Sequence, residues 1–128
     1  MIPTELRYTT EHEWVRLQGD QATVGITDHA QNALSDIVFV ELPEPGAELS
    51  AGDEAAVVES TKAAASVYAP VAGTVSAVND ALADDPGTVN RDCYGEGWLY
   101  KLTVADPGAV DALMDSASYE QLLAGLEQ

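Results

Sequence analysis

The sequence predicts a mainly β fold with helical additions, and three observations carry that expectation. Short runs rich in Val, Ile, Thr, Tyr and Trp recur between clusters of Gly, Pro, Asp and Asn, the spacing expected of a barrel or sandwich. A helix-start pattern follows the first pair of runs, and beyond about residue 106 the periodicity becomes helical. The pattern alone supports an all-β or an α+β class. At 128 residues the expectation is one domain, spanning 1–128 with a helical tail over about 106–128. An apolar content of 46% suits a globular chain and is too high for a disordered one.

Taken in order, His12 to Leu17 and Ala22 to Ile26 read as a hairpin turned by Gln18-Gly19-Asp20. Thr27 or Asp28 then caps a short helix to about Ser35. Asp28 and Gln31 stand at capping-box spacing, and Ala30, Ala33 and Leu34 share one face. Ile37 to Leu42 returns to strand and Pro43-Glu44-Pro45-Gly46 breaks it. Ala55 to Ser60, Ala65 to Tyr68 and Thr74 to Val78 are further strands, separated by turns. Asn79 to Gly97 reads as a long polar connection. Trp98, Tyr100, Leu102 and Val104 alternate onto one face of a last strand. Asp106-Pro107 opens a helix over Gly108 to Met114, and Ser118 with Gln121 suggests a second before Leu122, Leu123 and Leu126.

The charge is extreme, with 22 acidic against 5 basic residues and a net of −17. That argues against nucleic acid or an anionic membrane surface as partner. It favours basic or amphoteric protein partners, or adaptation to a salty cytoplasm. No apolar run approaches the length of a transmembrane helix, and the N-terminus lacks a signal or transit pattern, so a cytoplasmic location is expected. The lone Cys93 allows no internal disulfide and reads as a semi-buried filler. His12 and His29 have no third ligand at a metal spacing and no paired nucleophile, so no metal site and no catalytic residue is expected. Trp14 and Trp98 read as core anchors.

Lysine is the scarce residue. Only Lys62 and Lys101 occur, and Lys62 lies in Glu59-Ser60-Thr61-Lys62-Ala63, between two strand-like runs. Small neighbours (Ser60, Thr61, Ala63, Ala64) leave its amine accessible. A lysine so placed is either a solvated hairpin tip or an amine used for covalent attachment, and composition does not separate the two.

The chain resembles the glycine cleavage system H protein family, the lipoyl carriers of that system, over nearly its whole length. The resemblance rests on Tyr8-Thr9, His12-Glu13-Trp14-Val15, Gly25 to Gln31, Asp36 to Pro43, Glu59 to Ala63 with Tyr68-Ala69-Pro70-Val71, and Tyr94 to Leu99. It implies a flattened barrel-sandwich hybrid with Lys62 at an exposed hairpin tip, carrying lipoate in amide linkage. The implied partners are a pyridoxal-phosphate glycine decarboxylase, which loads an aminomethyl group, and a folate-dependent aminomethyltransferase, which removes it. A dihydrolipoyl dehydrogenase reoxidises the arm, and a lipoate ligase or lipoyl synthase installs it. On this reading the chain is a shuttle and not an enzyme, expected to be a monomer, whose tethered group makes each transfer a local encounter.

The resemblance also assigns residues. Glu59, three before Lys62, and Gly73, eleven after, match positions read by the attaching ligase; alternatively Glu59 solvates a strand end and Gly73 serves a turn with φ > 0. Glu13 matches a glutamate that meets the loaded amine in a cleft on the carrier, with Glu11 and His29 as further cleft candidates. Ser66 departs from the aspartate common at its position and brings no charge there. A biotinyl or dehydrogenase lipoyl domain fits less well, since Thr61 and Ala63 flank the lysine where biotin carriers favour Met. A lipoyl relay donor and an unmodified interaction module remain alternatives.

Overall fold

A computed structural model describes residues 3–126. Two antiparallel sheets share one core. The larger has six strands in the order β1 (Arg7–Tyr8), β2 (Glu13–Gln18), β3 (Gln21–Ile26), β9 (Tyr100–Thr103), β8 (Gly73–Val78), β5 (Glu48–Leu49), and the smaller has three in the order β4 (Ile37–Glu41), β6 (Glu54–Ser60), β7 (Ala64–Tyr68). The first hairpin pairs β2 (Glu13–Gln18) with β3 (Gln21–Ile26). Its loop is only Gly19-Asp20. Gly19 takes φ 64°, which lets the loop follow the twist of the strands. The two-residue β1 (Arg7–Tyr8) lies on the outer edge of β2.

Helix α1 (Asp28–Leu34) follows directly. Its cap is Thr27, whose hydroxyl accepts from the Ala30 N–H at 3.3 Å. The expected Asp28–Gln31 capping box does not form. Asp28 is already in the first turn, and its carboxylate instead accepts from Gln31 Nε2 at 2.8 Å. Ala30 and Leu34 pack on the core while Ala33 is exposed.

The smaller sheet comprises β4 (Ile37–Glu41), β6 (Glu54–Ser60) and β7 (Ala64–Tyr68). Val40, Val58 and Val67 face Val15, Val24, Val75 and Leu102 of the larger sheet, all buried in one cluster. The larger sheet is completed by β5 (Glu48–Leu49), β8 (Gly73–Val78) and β9 (Tyr100–Thr103). The expected last strand is therefore shorter than Trp98 to Val104. Tyr100, Leu102 and Val104 are buried as the alternation requires, but Trp98 is only half-buried, with Lys101 Nζ 5.2 Å from its ring centroid.

The stretch expected as a polar connection holds two helical turns, α2 (Ala81–Asp84) and α3 (Thr88–Arg91). Each anchors through a single buried residue, Leu82 or Val89, too few to produce a period in the sequence. Asn79 closes the excursion by donating to the Glu96 and Trp98 carbonyls at 2.7 and 2.8 Å.

In the tail, α4 covers only Gly108–Asp111. It stops short of Met114 because that residue's backbone exchanges hydrogen bonds with Tyr8 at 2.8 and 3.1 Å. Helix α5 runs Ser116–Leu126 and starts earlier than expected. Asp115, not Ser118, supplies the cap: its carboxylate accepts from the Ser118 N–H at 2.9 Å, and this bond holds its acid below the usual range. A second cluster of Leu6, Tyr8, Trp14 and Tyr119 fastens α5 to the larger sheet, with the Tyr8 and Tyr119 rings stacked at 4.7 Å. Among the described residues no helix is long and apolar enough to cross a membrane.

Candidate functional site at the Lys62 hairpin

Strands β6 and β7 pair from Glu54↔Tyr68 to Glu59↔Ala64, and Lys62 is exposed at the turn that joins them. Ser60 builds this turn. Its Oγ accepts from the Lys62 N–H at 3.1 Å and the Ala63 N–H at 3.0 Å, while its own hydroxyl and N–H both donate to the Ala63 carbonyl. A serine hydroxyl thus satisfies the backbone donors that a tight turn leaves open. The Thr61 N–H donates to the Asp36 carbonyl at 3.1 Å, tying the tip to the segment between α1 and β4. The side chain of Lys62 makes only a long contact, Nζ to the Ala33 carbonyl at 3.5 Å. The backbone around the amine is therefore fixed, and the amine itself is available. Sequence reasoning saw Ser60 only as a small neighbour and missed its role; a serine at the strand end directly before a tight turn is the signal that could have shown it.

The other expected site residues separate into groups. Glu59 is half-buried on β6 between Phe39 of β4 and Ala64 of β7. Gly73 has no positive φ, so a left-handed turn does not explain it. It is constrained by close approach: a Cβ there would lie 2.7 Å from the Thr103 carbonyl oxygen of the paired strand.

Glu13 and Glu11 come together, lining a cleft of about 340 Å³ with Tyr8, Thr9, Tyr68 and Met114. Glu11 is exposed, whereas Glu13 is 2% exposed. Both of its carboxylate oxygens are engaged, accepting from the Thr9 hydroxyl and from the Tyr68 N–H, each at 2.8 Å. Burial raises its pKa above the usual carboxylate range, opposed by these two hydrogen bonds. Ser66 and His29 are not among the residues lining that cleft. Ser66 donates to the Glu54 carboxylate at 2.7 Å on the sheet's outer face. His29 is exposed on α1 with its ring 4.6 Å from that of His12. The cleft sits at the base of the hairpin; the four steps of β7 from Ala64 to Tyr68 separate it from the tip by roughly 13 Å at about 3.3 Å per residue.

The histidines, tryptophans and cysteine have structural surroundings. His12 Nδ1 and Thr27 Oγ1 both hydrogen-bond the Tyr119 hydroxyl, at 2.8 and 2.7 Å. Burial first, and then His29, lower the pKa of His12. Trp14 is buried and donates to the Cys93 carbonyl at 2.9 Å. Burial pushes the Cys93 thiol up to about 12, which makes it inert. Among the described residues no group of three or more His, Cys, Asp or Glu could hold a metal ion.

Comparison with known proteins bears on this geometry. A family model described as "Glycine cleavage H-protein" matches residues 6–125. The chain belongs to the glycine cleavage H-protein family. Curated relatives named "Glycine cleavage system H protein" include one from Acidiphilium cryptum, 58% identical over 96% of this chain and 99% of its own length. Another, from Parvibaculum lavamentivorans, is 53% identical over 97% of this chain and 99% of its own. Among solved structures, an H protein of the glycine cleavage system from Mycobacterium marinum superposes with a TM-score of 0.88 at 41% identity, covering 96% of this chain and 99% of that one. The two-sheet architecture is thus the barrel-sandwich shared by H-proteins, as the resemblance implied. Membership in the H-protein family supports a carrier role in glycine cleavage.

Proposed function

We propose that Lys62 is the attachment point of a lipoyl group, held in amide linkage through Nζ, and that the chain is a non-catalytic shuttle. The observation that carries this reading is the combination at the tip. The backbone donors of the turn are satisfied by Ser60 and Asp36, while the Lys62 amine is exposed and has no strong partner. The fit to lipoate is chemical: a single accessible primary amine on a rigid turn takes one acyl group without disturbing the sheet. When bound, the lipoyl group supplies a dithiolane that can be reduced and can carry an aminomethyl unit. The partners on this reading are a glycine decarboxylase, an aminomethyltransferase and a dihydrolipoyl dehydrogenase, with a lipoate ligase or lipoyl synthase installing the group.

The chain's own residues position and shelter. Ser60 holds the turn, and Glu59 and Gly73 are read as positions recognised by the attaching enzyme. Glu13 and Glu11 supply carboxylates in the cleft at the base of the hairpin, where a cationic amine would be favoured. Ser66 contributes a hydroxyl rather than a charge. We read the chain as one carrier domain, whose tail, described from 106 to 126, docks on the larger sheet through Tyr119.

The test is intact mass and peptide mapping after exposure to lipoate, ATP and a lipoate ligase. One added lipoyl group confined to the peptide holding Lys62 is expected, with none in Lys62→Arg, which keeps the charge and the fold. Retained glycine cleavage activity in folded Lys62→Arg would overturn the reading.

A further inference from the structure

The outer face of the three-stranded sheet is built as a docking surface. Cross-strand partners share a face. Phe39, Glu59 and Ala64 therefore form one outward row, and Glu41, Val57 and Ser66 the next. The register shift between Ile37 and Phe39 places Val38 in a bulge, and Val38 and Phe39 are 52% and 51% exposed. A bulge that turns two adjacent apolar side chains outward on a strand is a local feature that re-aims side chains rather than a packing requirement. Carboxylates rim it: Asp36, Glu41 and Glu59, with Glu54 beyond. No basic residue occurs in β4, β6 or β7, and Lys62 lies at the turn that joins β6 to β7.

We propose that this face, with Val38 and Phe39 at its centre, docks the enzyme that acylates Lys62, through an apolar socket ringed by lysine and arginine. The proposal rests on the reading of Lys62 as attachment point. Proximity selects this partner over the others. The acylating enzyme must bring its active centre to Nζ, so its surface comes within a side chain's length of the tip. There the tip is bonded to Asp36, and Phe39 stands directly across from Glu59. An enzyme seated on the amine covers Val38 and Phe39. Enzymes that act at the far end of an attached arm stand off by the arm's length. The carboxylate rim supplies steering toward a basic surface, and burial of the exposed half of Phe39 supplies affinity.

The test is steady-state lipoylation of the unmodified chain by a lipoate ligase with lipoate and ATP. Chain concentration and KCl are varied for the wild type, Phe39→Thr and Val38→Thr; threonine keeps strand propensity. Calorimetric binding of the ligase to each variant in a Lys62→Arg background gives a second readout. The expected result is a KM, and a binding constant, weakened about five- to tenfold in each variant, with kcat within about twofold and a wild-type KM that rises with salt. Val38→Thr decides if Phe39→Thr melts before assay. Unchanged KM and binding in both variants overturn the proposal. So does a wild-type dimer that Phe39→Thr splits without altering KM, since the face would then belong to a second copy. If the wild type resists modification by an active ligase, the attachment reading itself fails, and the binding measurement alone decides whether this face docks the enzyme.

Discussion

Glu13 is a buried carboxylate whose pKa is raised, chiefly by burial. The native state therefore keeps this proton to a higher pH than the unfolded chain does, and the difference opens above the ordinary glutamate value near pH 4.3. Stability contributed by this residue falls as pH rises from there through the raised value, and the deficit persists at neutral pH. Glu13→Gln removes the deficit, and its amide can still accept from Tyr68 and donate to Thr9. Its thermal midpoint should match or exceed the wild type at pH 7, the difference vanishing near pH 4. Glu13→Ala instead strands the Tyr68 N–H and should cost about 1–3 kcal/mol in urea unfolding. At Gly73 the nearest atom to a new Cβ is the Thr103 carbonyl oxygen, backbone that cannot rotate away. Gly73→Ala should destabilise by about 1–3 kcal/mol, read as a lower urea midpoint. The exposed place of Lys62 at a hairpin tip was legible because two strand-like runs flank it and its neighbours are small. The partners of Glu13 were not, since Tyr68 is 55 residues away and reaches it through a backbone N–H that no side-chain pattern reports.

Each hairpin and the short helix after the first were legible as elements, because alternation and turn residues are local signals. Their caps were less so: of the two candidates Thr27 and Asp28 the cap is Thr27, and Asp115 displaced the expected Ser118, because several residues of the right chemistry stood close together. Helices α2 and α3 escaped because each is a single turn with one buried residue. The same locality gives the Lys62 turn a direct test. Ser60→Ala removes the acceptor shared by the Lys62 and Ala63 N–H groups. Their amide exchange should quicken about tenfold, the equivalent of one ordinary hydrogen bond, and Ser60→Thr should restore it. Equal exchange in all three proteins would show that the backbone holds this turn without the hydroxyl.

Across the whole molecule the charge is scarcely compensated. Among the described residues the one ion pair joins Arg91 to Asp85 on the surface. Three of the other four cations are spent differently: Arg16 lies 5.1 Å from the Trp14 ring centroid, Lys101 covers Trp98, and Arg7 donates to the Asp111 and Leu113 carbonyls. A net charge of −17 is left to repel itself. The thermal midpoint should climb as KCl is raised and the repulsion is screened; a midpoint flat from low to molar salt would show that the acidic surface is not a strain on the fold. This much was readable from composition. The division of the strands between two sheets was not, because pairings such as β3 with β9 join segments far apart in sequence. The tip of the β6–β7 hairpin is moored on one side by Ser60 and on the other by Asp36. With its footing pinned, whatever hangs from Nζ sweeps a sphere whose radius is the tether alone. Its search runs on the picosecond-to-nanosecond clock of side-chain torsions, ahead of the slower wandering of a loose loop.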